Sequence, residues 1–250
     1  MSETEEKLFE DNGPEDEVEM TFWDHLEELR WRLIYSIIGV FIGMLIAWIF
    51  IDFLIEKIFL FPARHAGFKL QNLKPFGQLI LYFQVAIILG VIISLPNIIY
   101  QFWKFISPAL KRKEKKYIKW IVLFTSFCFL SGMAFAYYVI LPFTLKFAAG
   151  FGAVENNFAL EEYFTLILSV LLAAGIVFEL PMLSFFLSKI GILKPEFMRK
   201  YRRHSVVIIM ILAAFLSPGT DPVSMLLLAV PLVFLYEISI FVSKLSQKKT

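Results

Sequence analysis

The stretch from Leu79 to Trp103, LILYFQVAIILGVIISLPNIIYQFW, contains 25 residues and no charged side chain. A helix of about 20 such residues crosses the hydrocarbon core of a bilayer. Of the 250 residues in the chain, 58% are hydrophobic and 18% are charged. Soluble proteins average about 45–50% apolar and about 25% charged residues. The composition therefore excludes an ordinary soluble protein and predicts a polytopic membrane protein.

Five further segments share this apolar character, although two of them contain one Glu and one is short. The six predicted spans cover residues 33–51, 79–103, 121–145, 163–188, 205–217 and 223–243. They are too long or too evenly apolar for strands, whose side chains alternate between two faces. The sequence therefore predicts an all-α fold with six transmembrane helices. The 13-residue fifth segment is retained because the charge distribution requires an even number of spans.

Basic residues are distributed unequally between the two sides that six spans define. Nineteen Lys and Arg fall on the side of the termini and the second and fourth loops, against five on the other side. Basic loops stay in the cytoplasm, so both termini are predicted to be cytoplasmic. The membrane domain then covers residues 21–243, between a short tail at 244–250 and an acidic, disordered tail at 1–20. The acidic tail has either no specific role or attracts cationic partners.

Two local patterns predict how the helices are arranged. Gly39 and Gly43 form a GxxxG motif, which we interpret as close helix packing within the chain rather than as a dimerisation site. The first outer loop, residues 52–78, is semi-apolar and is predicted to form a short interfacial helix that ends at Pro62.

Of the residues in the predicted spans, Glu179 has the highest free-energy cost of insertion into the membrane. It lies ten residues before Lys189, which places it about 15 Å from the cytoplasmic end of its helix. A charged carboxylate there costs roughly 2.5–3.5 kcal/mol. Two interpretations remain open: a neutral Glu bonded to a neighbouring helix, or a polar site for a partner or a proton. Pro181 follows it and is expected to loosen the helix.

Three other acidic residues are candidates for a site. Glu114 is the only acid between Glu56 and Glu155 and lies within a run of bases, so it either balances charge or accepts a cationic ligand. Glu28 lies in a predicted amphipathic surface helix before the first span. Asp221 opens the sixth span, where helix capping is a sufficient role. The three His residues are scattered, Cys128 is the single cysteine, and no motif of an enzyme, a metal site or a nucleic-acid-binding protein is present.

Four motifs together resemble the TatC family of twin-arginine translocase subunits. They are FWDHLEELRWRL at residues 22–33, Pro96 with YQFWKFISPAL at 100–110 up to Glu114, FELP at 178–181, and SPGTDP at 217–222 followed by Ala229-Val230-Pro231. Their order and their places on the predicted spans make the resemblance specific. It covers residues 21–243. One departure is Met225, where the family often has a Gln that makes a polar partner contact.

The resemblance implies a six-span, cupped receptor in the bacterial inner membrane. Such a receptor binds the twin-arginine signal peptide of folded cargo at the cytoplasmic face, and transport is driven by the proton-motive force. Partners would be TatA-like and TatB-like single-span subunits, further copies of the receptor and anionic lipids, with no cofactor. The signal's arginines would bind Glu28 and Glu114. The residues that would shape this site are Arg30, Pro96, Phe105 and Pro108. Glu179 would be the polar centre of the concave face and Asp221 a functional acid at the outer side, with Pro181 as a further functional residue.

Two other functions are compatible with parts of the pattern. An ion-coupled solute transporter would use Glu179 as its coupling carboxylate, but it needs neither Glu114 in a basic loop nor the surface helix. A structural scaffold without a ligand would tolerate the loss of Glu28. The receptor is the interpretation that accounts for all of these residues.

Overall fold

The computed structural model describes residues 22–107, 118–150, 157–189, 191–216 and 222–247. These residues are mostly helical. In chain order, the helices are α1 Phe22–Ile49, α2 Ile51–Phe53, α3 Phe61–Ala66, α4 Gly77–Ile106, α5 Ile118–Phe135, α6 Leu141–Ala149, α7 Leu160–Val177, α8 Leu180–Lys189, α9 Pro195–Lys200, α10 Arg202–Leu216 and α11 Pro222–Gln247. Two π-helical segments, Leu54–Phe59 and Ala136–Ile140, follow α2 and α5 directly.

Within the described residues, five helical stretches are long and apolar enough to cross a bilayer. They are Phe22–Ile49, Gly77–Ile106, Ile118–Ala149, Leu160–Lys189 and Leu228–Ser246. They coincide with the first four predicted spans and the sixth. The predicted fifth span coincides with α10, which has 15 residues and is shorter than the roughly 20 that a span needs. A helix is therefore confirmed there, whereas its crossing of the membrane stays a prediction.

The first helix is longer than its predicted span. The predicted surface helix and the predicted span at 33–51 form one continuous helix, α1, from Phe22 to Ile49. No Gly or Pro occurs between residues 22 and 38, so nothing in that sequence breaks the hydrogen-bond ladder. The end of the bundle that contains Phe22 and Ile106 is called the α1 end below. The opposite end is called the α3 end.

Prolines affect the helices differently. Pro96 lies inside α4, which continues through it. By contrast, the fourth span is divided into α7 and α8 at Phe178 and Glu179, just before Pro181. A proline cannot donate the backbone hydrogen bond that would continue the helix. The predicted loosening at Pro181 is thus an interruption of the α-helix at Phe178 and Glu179.

The structure at the α3 end differs from the predicted all-α fold, because it contains two short strands. Two three-residue strands, β1 Lys69–Gln71 and β2 Asn157–Ala159, pair in parallel with Lys69 opposite Asn157. They are too short to produce an alternating sequence pattern. The predicted interfacial helix does not end at Pro62 either, because Pro62 lies in the first turn of α3. A proline fits that position since the first turn needs no backbone donor.

The crossing of α1 and α4 depends on glycine. A Cβ atom on Gly43 would lie 2.6 Å from the carbonyl oxygen of Gly90, and one on Gly90 would lie 2.8 Å from the backbone nitrogen of Met44. Both distances are too short for any side chain. The interpretation of Gly43 as a close-packing residue within the chain is therefore confirmed.

The core lies where the later helices pack on α4. Phe164 and Ile167 of α7 are fully buried, together with Val85 of α4 and Leu141 of α6. The crossing of α8 and α11 is lined by small polar residues instead, with the hydroxyl groups of Ser188 and Ser243 in hydrogen-bond contact. The apolar core therefore fixes α4 and α7 relative to each other. The two ends of the bundle are formed by contacts with these helices.

Candidate functional site

A polar cluster lies at the α1 end, where the first turns of α1 meet the last turns of α4. Glu28 and Arg32 are one helical turn apart and form an ion pair of 2.8 Å. The Arg32 Nε and Nη2 atoms both donate to the same oxygen, Glu28 Oε1, at 3.3 and 2.8 Å. The two side chains are only 16% and 18% exposed. Glu28 is thus a carboxylate held in one direction by its own helix.

The second carboxylate oxygen of Glu28 is different. Glu28 Oε2 is buried and accepts no hydrogen bond from the part of the chain that the structure describes. A buried acceptor without a donor costs about 1–3 kcal/mol. This cost is recovered when a donor reaches the oxygen, so the cluster contains an oriented and unused acceptor.

Polar groups of α4 continue the cluster. Arg32 Nη1 donates to Gln101 Oε1 at 3.2 Å, and Gln101 Nε2 donates to Asn97 Oδ1 at 3.4 Å. Asn97 Nδ2 in turn donates to the carbonyl oxygen of Tyr35 at 3.1 Å. This chain of bonds crosses between the helices twice, so it fixes the position of Glu28 relative to α4.

An aromatic contact lies beside the carboxylate. The rings of His25 and Phe105 are stacked, with 4.3 Å between their centres and an angle of 17°. His25 lies three residues before Glu28 on α1, and Phe105 four residues after Gln101 on α4, so both belong to the helix faces that form the cluster. Phe105 therefore adjoins the polar cluster around Glu28.

Two other predicted residues lie away from the carboxylate of Glu28. Arg30 is exposed, two residues from Glu28 along a helix and hence on a different face. Its guanidinium lies over the ring of Trp31, 5.5 Å from the centre. Pro96 is exposed on α4, next to Asn97 of the hydrogen-bond chain. Glu114, Pro108 and Asp221 lie outside the described residues.

Glu179 lies at the break between α7 and α8. Its Oε1 atom is buried and has no hydrogen-bond partner among the described residues. The break packs closely on α5, where a Cβ atom on Gly132 would lie 2.8 Å from the Cβ of Phe178. Pro181 is buried in the first turn of α8. Glu179 is therefore a polar site separate from the cluster at the α1 end.

Met225 packs against the apolar core cluster. A thioether fills space there without fixing a hydrogen-bond direction.

Four members of the cluster were not predicted as site residues from the sequence: His25, Arg32, Asn97 and Gln101. Two spacings could have indicated them. Glu28 and Arg32 are separated by four residues, the spacing of an ion pair on one helix face. Asn97, Gln101 and Phe105 repeat every four residues and therefore share one face of α4.

The fold and this site define the class of protein. Helices long enough to span a bilayer, with a polar cluster at one end of the bundle, make it a multi-pass helical membrane protein. Among the described residues, no group of three or more His, Cys, Asp or Glu side chains could hold a metal ion.

Comparisons with known proteins narrow the class. The family model described as Sec-independent protein translocase protein (TatC) matches residues 24–231. The TatC proteins of a Blattabacterium from Periplaneta americana and of Aquifex aeolicus are both 36% identical, over 92% of this chain and 97% of each relative. A crystal structure of the twin-arginine translocase receptor TatC aligns with a TM-score of 0.79 and 36% identity, covering 89% of this chain and 99% of that chain.

The chain belongs to the TatC family. It is a component of a Sec-independent protein translocase and works in protein transport, as part of a complex with other Tat subunits. Its relatives are named as translocase components and not as enzymes.

Proposed function

We propose that this protein is the receptor for twin-arginine signal peptides and that the cluster at the α1 end binds the arginines. The observation that carries the proposal is the state of Glu28. One of its carboxylate oxygens is held by Arg32, and the other is buried without a donor among the described residues. A guanidinium group supplies the donors that the second oxygen lacks.

The geometry favours arginine over lysine. A guanidinium is planar and holds its donors in fixed directions, so it matches a single acceptor oxygen that is itself fixed in direction. Glu28 is fixed by Arg32, which Gln101 holds from α4. A lysine ammonium is a point charge and gains less from a fixed direction. The stacked rings of His25 and Phe105 belong to the same helix faces as this acceptor and its supports.

The remaining parts of the receptor follow from the family resemblance. We propose that Glu114 is the second acceptor and that Arg30, Pro96 and Pro108 shape the segment around it. Asp221 would act at the outer side. Basic residues of the loops at the α1 end would repel a cationic peptide. We therefore expect them to face anionic lipid headgroups and not the peptide.

We further propose the arrangement in the membrane. The chain would form six spans as a cupped bundle in the bacterial inner membrane, with α10 as the fifth span and both termini in the cytoplasm. TatA-like and TatB-like subunits and further copies of the receptor would assemble with it. Transport would be driven by the proton-motive force, with Glu179 as the polar centre of the concave face.

A solute transporter that uses Glu179 is the less supported alternative. The buried, unpartnered Glu179 Oε1 would suit a coupling carboxylate. However, the relatives are named as protein translocase components, and a solute carrier does not account for the cluster around Glu28.

The test is binding of a fluorescent twin-arginine signal peptide to the purified protein, compared with its twin-lysine version. Glu28→Ala is expected to weaken binding of the arginine peptide about tenfold or more, because charge-assisted hydrogen bonds contribute about 1.5–3 kcal/mol each. Glu27→Ala is the matched control, since Glu27 is an exposed neighbour of equal charge. Glu114→Ala tests the second acceptor in the same way.

Three results would contradict the proposal. Equal binding of both peptides would indicate attraction by charge alone. Equal losses in Glu27→Ala and Glu28→Ala would indicate a general effect of negative charge. Unchanged binding in Glu28→Ala would place the site elsewhere.

A further inference from the structure

A cavity of about 820 Å³ lies at the α3 end, far from the cluster around Glu28. It is bounded by α6, by the first turns of α7 and by the segment between β1 and α4. Cavities of about 300–1,000 Å³ are typical of sites for one small ligand. Its wall includes Lys74, Thr144, Glu161, Glu162, Leu166 and Ser169.

The charged groups lie together at one end of this cavity. Glu161 and Glu162 occupy the first turn of α7, and Lys74 forms an ion pair of 2.7 Å with Glu161. Glu162 is exposed. Ser169 lies eight residues beyond Glu161, which is about 12 Å along the helix. Apolar side chains, such as Leu145 and Leu166, line the wall as well. The described part of the wall is thus amphipathic, with two acids and one base at its polar end.

A hydroxyl group in the wall has an unused bonding capacity. Thr144 is only 7% exposed, and its Oγ1 atom has no hydrogen-bond partner among the described residues. A threonine in a helix adopts either of two χ1 rotamers, which exchange the positions of the hydroxyl and the methyl group. The hydroxyl can therefore turn toward a ligand in the cavity and recover its hydrogen bond.

The position of the cavity indicates which environment supplies the ligand. Thr144 is one residue before the end of the third predicted span, and Tyr163 begins the fourth. The cavity therefore lies at the level where apolar helix surface gives way to the polar groups of the α3 end. This is the level of lipid headgroups in a bilayer.

We propose that this cavity binds one phospholipid with a zwitterionic primary-amine headgroup, such as phosphatidylethanolamine. The ammonium group would bind Glu162, and the phosphate would lie near Lys74. Thr144 would donate to a phosphate or ester oxygen, with an acyl chain along Leu145 and Leu166. The described lining has two acids against one base, which disfavours an anionic lipid. The proposal is independent of signal-peptide binding.

The test is lipid retention by the delipidated, purified protein, measured by native mass spectrometry after adding back one lipid at a time. Phosphatidylethanolamine is expected to be retained at least about fivefold better than phosphatidylcholine, whose quaternary ammonium cannot donate a hydrogen bond. Phosphatidylglycerol, which carries no ammonium, is expected to be retained less well still.

Two pairs of variants locate the site. Ser169→Trp fills the cavity and is expected to abolish the preference, whereas Ser131→Trp places the same ring on α5, outside the cavity wall. Glu162→Gln is expected to weaken retention about fivefold. Its control is Glu56→Gln, which removes an exposed acid of the same end that pairs with Arg64 at 3.9 Å.

The proposal is overturned if all three lipids are retained equally, or if phosphatidylglycerol is preferred. It is also overturned if Ser169→Trp and Ser131→Trp behave alike, or if Glu162→Gln retains phosphatidylethanolamine as the unmodified protein does. Because Glu162 is exposed, its variant keeps the fold, and equal thermal unfolding midpoints would verify this.

Discussion

The two ends of the bundle satisfy their polar groups in different ways. At the α3 end, tyrosine hydroxyls donate to backbone carbonyls of the first loop: Tyr163 to Phe59 at 2.7 Å and Tyr137 to Ile58 at 2.8 Å. The Tyr163 hydroxyl also accepts from the backbone nitrogen of Ala63 at 3.0 Å. In the cluster at the α1 end, most bonds join one side chain to another, as from Arg32 to Gln101, and Glu28 Oε2 has no donor among the described residues.

The tyrosine bonds fix the backbone of the first loop, whereas the bonds of the cluster around Glu28 leave one carboxylate oxygen available to a ligand. A hydroxyl bonded to a loop carbonyl satisfies an acceptor that would otherwise be buried and unpaired. The chain from Arg32 through Gln101 to Asn97 instead orients one carboxylate and leaves half of it unused. Substitutions of these tyrosines should therefore change stability, whereas substitutions in the cluster around Glu28 should change signal-peptide binding as well.

The largest effect is expected at the glycine crossing that both ends share. Gly90→Val would place side-chain atoms within about 3 Å of the α1 backbone and separate α1 from α4. Overpacking of this kind costs about 3 kcal/mol or more where backbone must move. We expect loss of folded protein in detergent, measured by thermal unfolding, and loss of peptide binding.

Gly150→Ala is the control for this substitution, because a Cβ atom there would lie no closer than 3.4 Å to its neighbours. A Gly90→Val protein that unfolds at the temperature of Gly150→Ala would show that the close crossing is not required.

The next effect is expected at Tyr163, which is 2% exposed. Tyr163→Phe removes one hydroxyl and leaves the Phe59 carbonyl and the Ala63 amide without their partner. Each unsatisfied buried group costs about 1–3 kcal/mol, so we expect a loss of about 2–4 kcal/mol. Hydrogen exchange should accelerate in α3, while signal-peptide affinity at the α1 end stays unchanged.

Tyr138→Phe is the control for this effect, since Tyr138 is 75% exposed. Tyr163→Phe should accelerate hydrogen exchange in α3 only. If it also lowered the affinity for the signal peptide, the two ends of the bundle would not be independent.

A smaller effect is expected at Arg32. Arg32→Met removes the partner of Glu28, and because the pair is partly exposed we expect a loss of about 1–2 kcal/mol. The double variant Glu28→Gln with Arg32→Met should recover most of this loss, because no unpaired charge is left. Unfolding by a denaturing detergent would measure both variants.

Arg202→Met is the comparison for this pair, since Arg202 and Glu237 form a 2.6 Å pair whose side chains are 49% and 44% exposed. It should lose at most about 1 kcal/mol. Equal losses for Arg32→Met and Arg202→Met would mean that Glu28 is not held in a special environment.

Long apolar helices could be predicted from the sequence because their signal is compositional and spread over many residues. Their ends could not, since α1 begins at Phe22 and not at Leu33, where the charges stop. Charged residues such as Glu28 and Arg32 extend a helix as well as apolar ones do. The short strands left no signal, because three residues do not form a pattern.

The candidate site could be predicted in part. The resemblance indicated Glu28 and Phe105, and the structure places both in one cluster. It did not indicate that Arg30 points to another face, because a motif gives the order of residues and not their angle around the helix. The roles of Asn97 and Gln101 depend on the packing of α4 against α1, which pairs residues far apart in the sequence.

The π-helical segment Ala136–Ile140 allows one membrane span to pack against two differently placed helices. A π turn closes its hydrogen bonds one residue later than an α turn, so each later side chain is rotated by about 100° around the axis. Before this segment, α5 packs against α7, and after it, α6 packs against α3. The wide turn changes the phase of the helix in mid-span. A single segment thereby presents a matched face to two differently placed partners, at the expense of one inserted residue.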